Sequence, residues 1–400
     1  MDTEAPTHSA AEVEWNVPSH ATVDDIWSHL TMNVNELCDA HVPLKKPGRL
    51  LKRPPWFDKD LRALLTKRKR AWKAFVSLGD QPSHTIYKNV RNQCKKLLRY
   101  KRMCYEQGLL ENGNAQPKRL FAYINRRRKI NQSTPPLIDS QGNEVTEDHI
   151  KAEVLADHFF SVYNSPAQSI RQIVLNGMAD CPDGASPDVL HDVDFSVEDV
   201  ERALRRLNTQ KAPGPDGIHP LVLKTLSAEL APVVHQLFRK SLDTAALPAV
   251  WKQGLIRPFP KPGDPTQPAN YRPVCMTAIL VKLMESFVKD AIDKHLDHTG
   301  VVLPQQHGFV RGKSCTTNLL LAREEWCEAR ERRKPVHTVF IDFSKAFDRV
   351  DHELLLHKLL GLKIRGKVLS WIASYLTDRS WRVRLQSHLS STRPGPSRVL

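Results

Sequence analysis

Several features that would place this 400-residue chain at once are missing from it. Its seven cysteines, Cys38, Cys94, Cys104, Cys181, Cys275, Cys315 and Cys327, are scattered, and no two are spaced as Cys-x-x-Cys. An odd set of isolated thiols argues against a disulfide scaffold and a structural zinc module, and fits a reducing compartment. No apolar run approaches the ~20 residues of a membrane span. The opening residues MDTEAPTHSA are polar and acidic, unlike a secretory signal. The expectation is therefore an intracellular protein of nucleus or cytoplasm, not secreted and not in a membrane. There are 17 histidines but no His-Glu-x-x-His, and no internal repeat is visible.

The most informative scarcity is of acid in one stretch. From Lys45 to Lys129 there are 25 Lys/Arg and only 5 Asp/Glu, a local charge of +20 in a chain whose formal charge is +15. The remaining residues sum to −5. One segment carries the whole basic excess, which points to a polyanionic partner, nucleic acid before membrane. The other quantities are ordinary: 40% hydrophobic and 26% charged residues suffice for a core, and the length allows two or three domains.

The basic segment reads as helical. After Pro54–Pro55, the residues Phe57, Leu61, Leu64, Leu65, Trp72 and Phe75 recur at helical spacing. A second helix is expected over about 84–107, with Ile86, Val90, Cys94, Leu97, Leu98 and Tyr105 on one side. Its other side carries Lys88, Arg91, Lys95, Arg99 and Arg102. At about 100° per residue these five fall within roughly 80° of one another, a cationic stripe. A third helix from Pro117 ends in Arg126, Arg127 and Arg128. A solvated face normally mixes signs, because like charges at i,i+4 repel. Unrelieved charge instead suggests contacts to phosphates, independent of sequence and sensitive to salt.

Elsewhere the pattern predicts a helix over about Val23–Cys38, another over about 147–163, and a tighter succession from Ser196 onward. Helices are expected over about 277–297, 316–332, 352–361 and 366–377, and a short alternating strand over 381–386. The apolar run Val339–Phe343 reads as a buried central strand.

Three motifs suggest chemistry. In VFIDFSKAFDRVDH, an apolar run delivers Asp342 at its end. Such a carboxylate either binds a hard metal or caps the following helix. In PFPKPGDPTQPANYRP, Lys261 and Arg272 flank a turn rich in Pro and Gly. They could close over a triphosphate or simply decorate a hairpin. In KAPGPDGI, Gly214 and Gly217 allow close backbone approach to a strand or a phosphate, or make a plain loop.

The order of these motifs is more specific than any one of them. KAPGPDGIHP, then WKQGLIRP with PKPGDP, NYRP, QHGFVRGKSC and FIDFSKAFDRVDHELL resembles the reverse transcriptase of non-LTR (LINE-type, jockey-like) retrotransposons over about Ser196–Leu385. The basic stretch is similar to the segment preceding the polymerase in such elements. The resemblance implies an α+β right-hand polymerase. Fingers and a partial palm (a small antiparallel sheet with helices) would span 196–400, a connector 136–195, a basic helical segment 46–135 and an N-terminal remnant 1–45. It implies that Asp342 and the Phe343 carbonyl hold Mg²⁺, and that Phe347 packs under the sugar. Lys261 and Arg272 would bind the dNTP triphosphate, and Gln306, Gly308 and Phe309 would line the template side. RNA template and DNA primer or target are the implied partners.

One departure matters. The family pattern supplies further carboxylates from a Tyr-x-Asp-Asp hairpin after a Gly-x-Pro-Gln-Gly-Ser turn. Here Pro394, Gly395, Pro396 and Ser397 stand where that turn is expected, and Asp24–Asp25, the only Asp-Asp pair, looks like a helix cap. The expectation is a polymerase-family chain that is catalytically incomplete and lacks the usual upstream endonuclease. The alternatives are a non-catalytic RNA- or DNA-binding remnant of such an element, and an intron-maturase-like enzyme with similar fingers.

Overall fold

The computed structural model describes residues 4–42, 54–113, 115–127, 134–161, 173–174, 189–343, 346–347 and 349–395. The chain divides into two compact units, residues 43–133 and residues 1–42 with 134–400.

The smaller unit is helical. α3 (Lys59–Leu78) and α4 (Gln81–Glu111) form an antiparallel pair, followed by α5 (Pro117–Arg127). Asp58 and Asp80 cap the first two, each side chain accepting from a backbone N–H three residues on. Gly79 ends α3 at φ +65°, a left-handed conformation that glycine adopts without steric cost. The apolar seam buries Leu61, Val90, Cys94 and Leu109. At the turn Trp72 packs on Tyr87, with centroids 4.8 Å apart, and Phe75 packs on His84. At the other end Lys101 pairs with both Asp58 and Asp60.

The larger unit mixes helices with a small antiparallel pair and a mixed sheet. Its main core is helical. α1 (Glu4–Ala11) and α2 (Val23–His41) precede the basic unit in the chain. Beyond it, α6 (Asp148–Phe160), α7 (Val197–Arg205), α8 (Pro220–Thr225) and α9 (Ser227–Thr244) follow. α9 is the hub: Leu230, Val234, Leu237, Phe238 and Leu242 recur at helical spacing and are fully buried. Later come α10 (Ile279–Thr299), α11 (Cys315–Glu331), α12 (His352–Gly361) and α13 (Gly366–Leu376). Trp371 on α13 donates its indole N–H to Ser241 on α9 at 2.9 Å. Asp192, Arg239, Asp243 and Lys367 form a charge network across the same region.

The strands follow a different logic. β1 (Leu137–Ile138) and β2 (Glu144–Val145) are a short hairpin. β3 (Gln253–Pro260) pairs antiparallel with β4 (Tyr271–Met276) and parallel with β5 (Ser380–Leu385). β6 (His388–Leu389) and β7 (Arg393–Pro394) pair with β5. One sheet face, with Ile256, Tyr271, Trp381 and Val383, is buried with Leu137 and with Leu155, Ala156 and Phe159 of α6. Gly254 lets Trp381 lie flat on β3: a Cβ there would stand 2.1 Å from the indole ring. Arg379, only 2% exposed, sits over Tyr375 and Trp381 and donates to the carbonyls of Tyr375 and Trp251.

Two expectations need correction. Val339–Phe343 is not in a strand; the segment runs outside the sheet, with Phe340 at 88% and Ile341 at 77% exposure. An extended apolar run becomes a strand only if a neighbour satisfies its N–H and C=O groups and another layer covers a face. The described residues supply neither. Next, the larger sheet is mixed rather than antiparallel, and the 381–386 segment lies inside it, between β3 and the β6–β7 side. Residues 1–42 group with the larger unit. Trp27 meets Trp251 edge-on at 5.4 Å, Gln236 and Lys240 donate to the carbonyls of Val17 and Ser19, and Asp24 accepts from the Ala249 N–H.

Candidate nucleotide and nucleic-acid sites

The cation pair flanking the Pro- and Gly-rich turn is organised by strand register. Phe259 lies opposite Arg272, and the Lys261 N–H continues the ladder by donating to the Asn270 carbonyl at 2.6 Å. Lys261 and Arg272 are thus diagonal neighbours on one face of adjacent chains, a relation that brings Cα atoms within about 7–8 Å. The turn between them is rigid. Asp264 accepts from Thr266, Asn270 donates to the Asp264 carbonyl, and the Tyr271 hydroxyl donates to the Pro265 carbonyl at 2.7 Å. Lys261 Nζ also reaches the Ala269 carbonyl at 3.3 Å.

The same sheet face carries more charge than the pair. Arg257 on β3 and Arg382 and Arg384 on β5 alternate with the buried Ile256, Trp381, Val383 and Leu385, so all three stand exposed on the face opposite α6. No Asp or Glu occurs in β3, β4 or β5. The half-exposed Phe259 adds an aromatic ring. The alternation in WRVRLQ was the signal for Arg382 and Arg384. Their meeting with Arg257 depends on a parallel pairing that local sequence does not announce.

The Gly-rich motif packs inward. A Cβ on Gly214 would lie 2.8 Å from the Thr277 carbonyl oxygen and the Ala278 Cα, so glycine lets this loop press against the end of β4. Burial pushes the adjacent Asp216 carboxyl up to about 6, and its Oδ2 has no hydrogen-bond partner.

The end of the motif set expected to hold metal is sparser. Asp342 and Phe343 are exposed on the segment outside the sheet. Among the described residues no hydrogen bond or ion pair joins Asp342 to Lys261 or Arg272, and no cluster of three or more His, Cys, Asp or Glu side chains could hold a metal. One carboxylate and one carbonyl fit Mg²⁺ only where phosphates and further groups complete its shell. Asp24–Asp25 is indeed a cap: Asp25 closes a capping box with Thr22 at the start of α2. The loop holding Gln306, Gly308 and Phe309 is tied by Lys313, which donates to the carbonyls of Pro304 and Gln306. Phe309, at φ +61°, meets Phe347 edge-on at 6.0 Å. Two residues expected in different roles are therefore in contact.

On the basic unit, the stripe is real but uneven. Lys88, Lys95 and Arg99 are exposed, and Arg91 is half-buried beside the α3–α4 seam. None of these four has an ion-pair partner among the described residues. Arg102 is different: its Nε donates to Glu106 at 2.9 Å. Arg126 and Arg127 close α5, and Arg128 lies outside the described residues. Sequence reasoning missed Lys67, Arg68, Lys69, Arg70 and Lys73, all exposed on α3.

Among the described residues no helix is long and apolar enough to cross a membrane. Residues 259–396 match the family described as reverse transcriptase (RNA-dependent DNA polymerase). The chain is 24% identical over 392 residues to the RNA-directed DNA polymerase from mobile element jockey of Drosophila melanogaster, covering 96% of this chain and 42% of that one. It is 27% identical over 266 residues to the probable RNA-directed DNA polymerase from transposon X-element of Drosophila melanogaster, covering 64% and 28%. The likeness to jockey extends through the basic unit as well as the sheet. This chain thus spans well under half the length of either relative.

Proposed function

We propose that the reverse transcriptase domain of this chain, of the non-LTR retrotransposon kind, acts in RNA-directed DNA synthesis, with the basic helical unit holding the nucleic acid. The observation that carries the reading is the open sheet face. Lys261 and Arg272 stand diagonally across a rigid turn within the matched region, free of acidic neighbours on their strands. Two cations so fixed can grip the triphosphate of a dNTP without paying the ordering entropy of a mobile loop. Arg257, Arg382 and Arg384 would extend that positive field toward the strand being copied.

In this reading the chain supplies fingers and the first part of a palm. Asp342 and the Phe343 carbonyl would contribute ligands to Mg²⁺, which when bound supplies charge stabilisation at the transferring phosphoryl group. Phe347 would pack under the incoming sugar, and Gln306, Gly308 and Phe309 would border the template. RNA template, DNA primer and dNTP are the implied partners.

A second reading has its own support. Asp342 stands exposed on an unpaired segment, and among the described residues no cluster of three or more His, Cys, Asp or Glu side chains is gathered that could hold a metal. That favours a chain that by itself binds nucleic acid and dNTP without turnover. Primer extension on an RNA template with Mg²⁺ or Mn²⁺ separates the two, run on residues 1–400 beside Asp342→Ala. Extension that the variant abolishes supports the polymerase. Binding without extension supports the second reading. For the interface, replacing Lys88, Arg91, Lys95 and Arg99 with Ala should flatten the salt dependence of duplex binding by up to about 0.9 log units per lost contact. An unchanged slope would remove the basic unit from the interface.

A further inference from the structure

A cavity of about 310 Å³ opens on the basic unit where the end of α4 meets the start of α5. Tyr105, Gly108 and Leu109 form its apolar lining. Leu109 is buried at 7% exposure, and a Cβ on Gly108 would meet nothing within 4 Å, so the missing side chain leaves room there. Tyr105 is not free to swing. Trp56 and Tyr123 each pack on its ring with centroids 5.7 Å away.

The rim is polar and partly committed. Asn112 donates its Nδ2 to the Gly108 carbonyl at 2.8 Å, which leaves its Oδ1 to accept. Gln116 accepts from Arg119 Nη1 through Oε1 at 2.8 Å, which leaves its Nε2 to donate. The guanidinium of Arg119 completes the rim. An apolar lining with an aromatic ring, one acceptor, one donor and a cation make a distinct combination. It suits a planar ring with a hydrogen-bonding edge and a negative charge nearby. The size is at the low end for small-molecule sites and takes one ring system rather than a duplex. The cationic stripe lies on the adjoining side of the same helix: Arg99 is six residues before Tyr105, about 9 Å along the axis at 1.5 Å per residue and about 120° around it, a separation that a single strand wrapping the helix can cover.

We propose that this cavity seats one unpaired nucleobase of a strand whose phosphates run along α4. The proposal rests on the reading of the basic unit as a nucleic-acid interface, and adds selection for single-stranded over duplex partners. Because Tyr105 is already locked by its aromatic neighbours, stacking a base on it costs little further ordering.

Cys104 lines the cavity and is exposed, so its alkylation reports occupancy directly. The full chain is treated with iodoacetamide alone, with a 12-nucleotide single-stranded RNA, or with an abasic strand of the same length, and labelling is read by mass spectrometry. The RNA should slow Cys104 labelling several-fold, and the abasic strand should not. Equal labelling with and without RNA, or equal protection by both strands, overturns the proposal. Gly108→Met fills the cavity from a helix-compatible position, with circular dichroism confirming the fold. It should weaken single-strand binding about fivefold or more, the scale of one lost base stack, while leaving the salt slope unchanged. Loss of slope belongs to the stripe and loss of affinity at constant slope to the cavity, so the two ideas fail separately. Unchanged affinity in Gly108→Met would also overturn the cavity's role.

Discussion

Asp216 offers the sharpest quantitative test of how the Gly-rich loop is built. Burial pushes its carboxyl from the ordinary 3.8 up to about 6, a rise that backbone hydrogen bonds, among them one from the Ile218 N–H at 3.4 Å, offset only in part. Below about pH 4 the group is protonated in both folded and unfolded chains and contributes nothing to pH dependence. Between about pH 4 and 6 the unfolded chain ionises while the folded one resists, so the unfolded state binds fewer protons and stability falls as pH rises. Above about 6 the loss is constant. A difference of about two pKa units corresponds to about 3 kcal/mol. Asp216→Asn keeps the shape and removes the charge. Its amide would be left partly unpaired, at about 1 kcal/mol at every pH, so a net gain near 2 kcal/mol is expected at pH 7, turning into a net loss of up to about 1 kcal/mol at pH 4 and below. Urea unfolding followed by tryptophan fluorescence from pH 4 to 7.5 measures the difference between the two proteins. A constant difference across that range, or a variant less stable at pH 7, refutes the account of a buried, uncompensated carboxylate.

Other outcomes follow from packing and charge. Gly254→Ala drives a Cβ to 2.1 Å from the buried Trp381 ring and should cost about 1–3 kcal/mol, read as a lower thermal midpoint. Trp27→Ala removes the edge contact with Trp251 and should cost about 3–5 kcal/mol in the same cooperative transition that reports the main helical core; a separate, earlier transition would make α2 an independent element. Arg239 and Lys367 hold the Asp243 carboxyl down at about 2, so its stabilisation is complete above about pH 4 and is lost as pH falls toward 2. Because the group is partly solvated, Asp243→Asn should cost only about 1 kcal/mol at neutral pH and flatten the acid limb of the stability curve. Arg102→Ala should reduce nucleic-acid affinity less than Arg99→Ala, since Glu106 already offsets the Arg102 charge; equal losses in filter binding would contradict this.

Much of the helical frame was legible because its signals are local. α12 spans His352–Gly361 as its Asp351 cap and leucine spacing predict, and α13 and β5 fall within a residue or two of expectation. The Arg102–Glu106 pair was also there to be read, as an i,i+4 spacing on one helix face. The basic unit declared itself through charge alone. Asp342 illustrates the opposite case: VFIDF has the composition of a buried strand, yet in this fold it has no lateral partner among the described residues and stays exposed. The side of the fold on which a residue ends up is set by what pairs with it.

Capping, periodicity and charge act over a few residues, so the order of amino acids alone sets where helices start and stop, where cations concentrate, and the reverse-transcriptase resemblance of the ordered motifs. That Trp27 belongs with Trp251, that Arg257 shares a face with Arg382 and Arg384, and that Gly108 and Tyr105 line one cavity emerges from the packed fold alone. Those relations depend on strand register and on packing between segments distant in the chain. The free energy of such contacts is realised only when both partners are buried together, so neither segment carries the information alone.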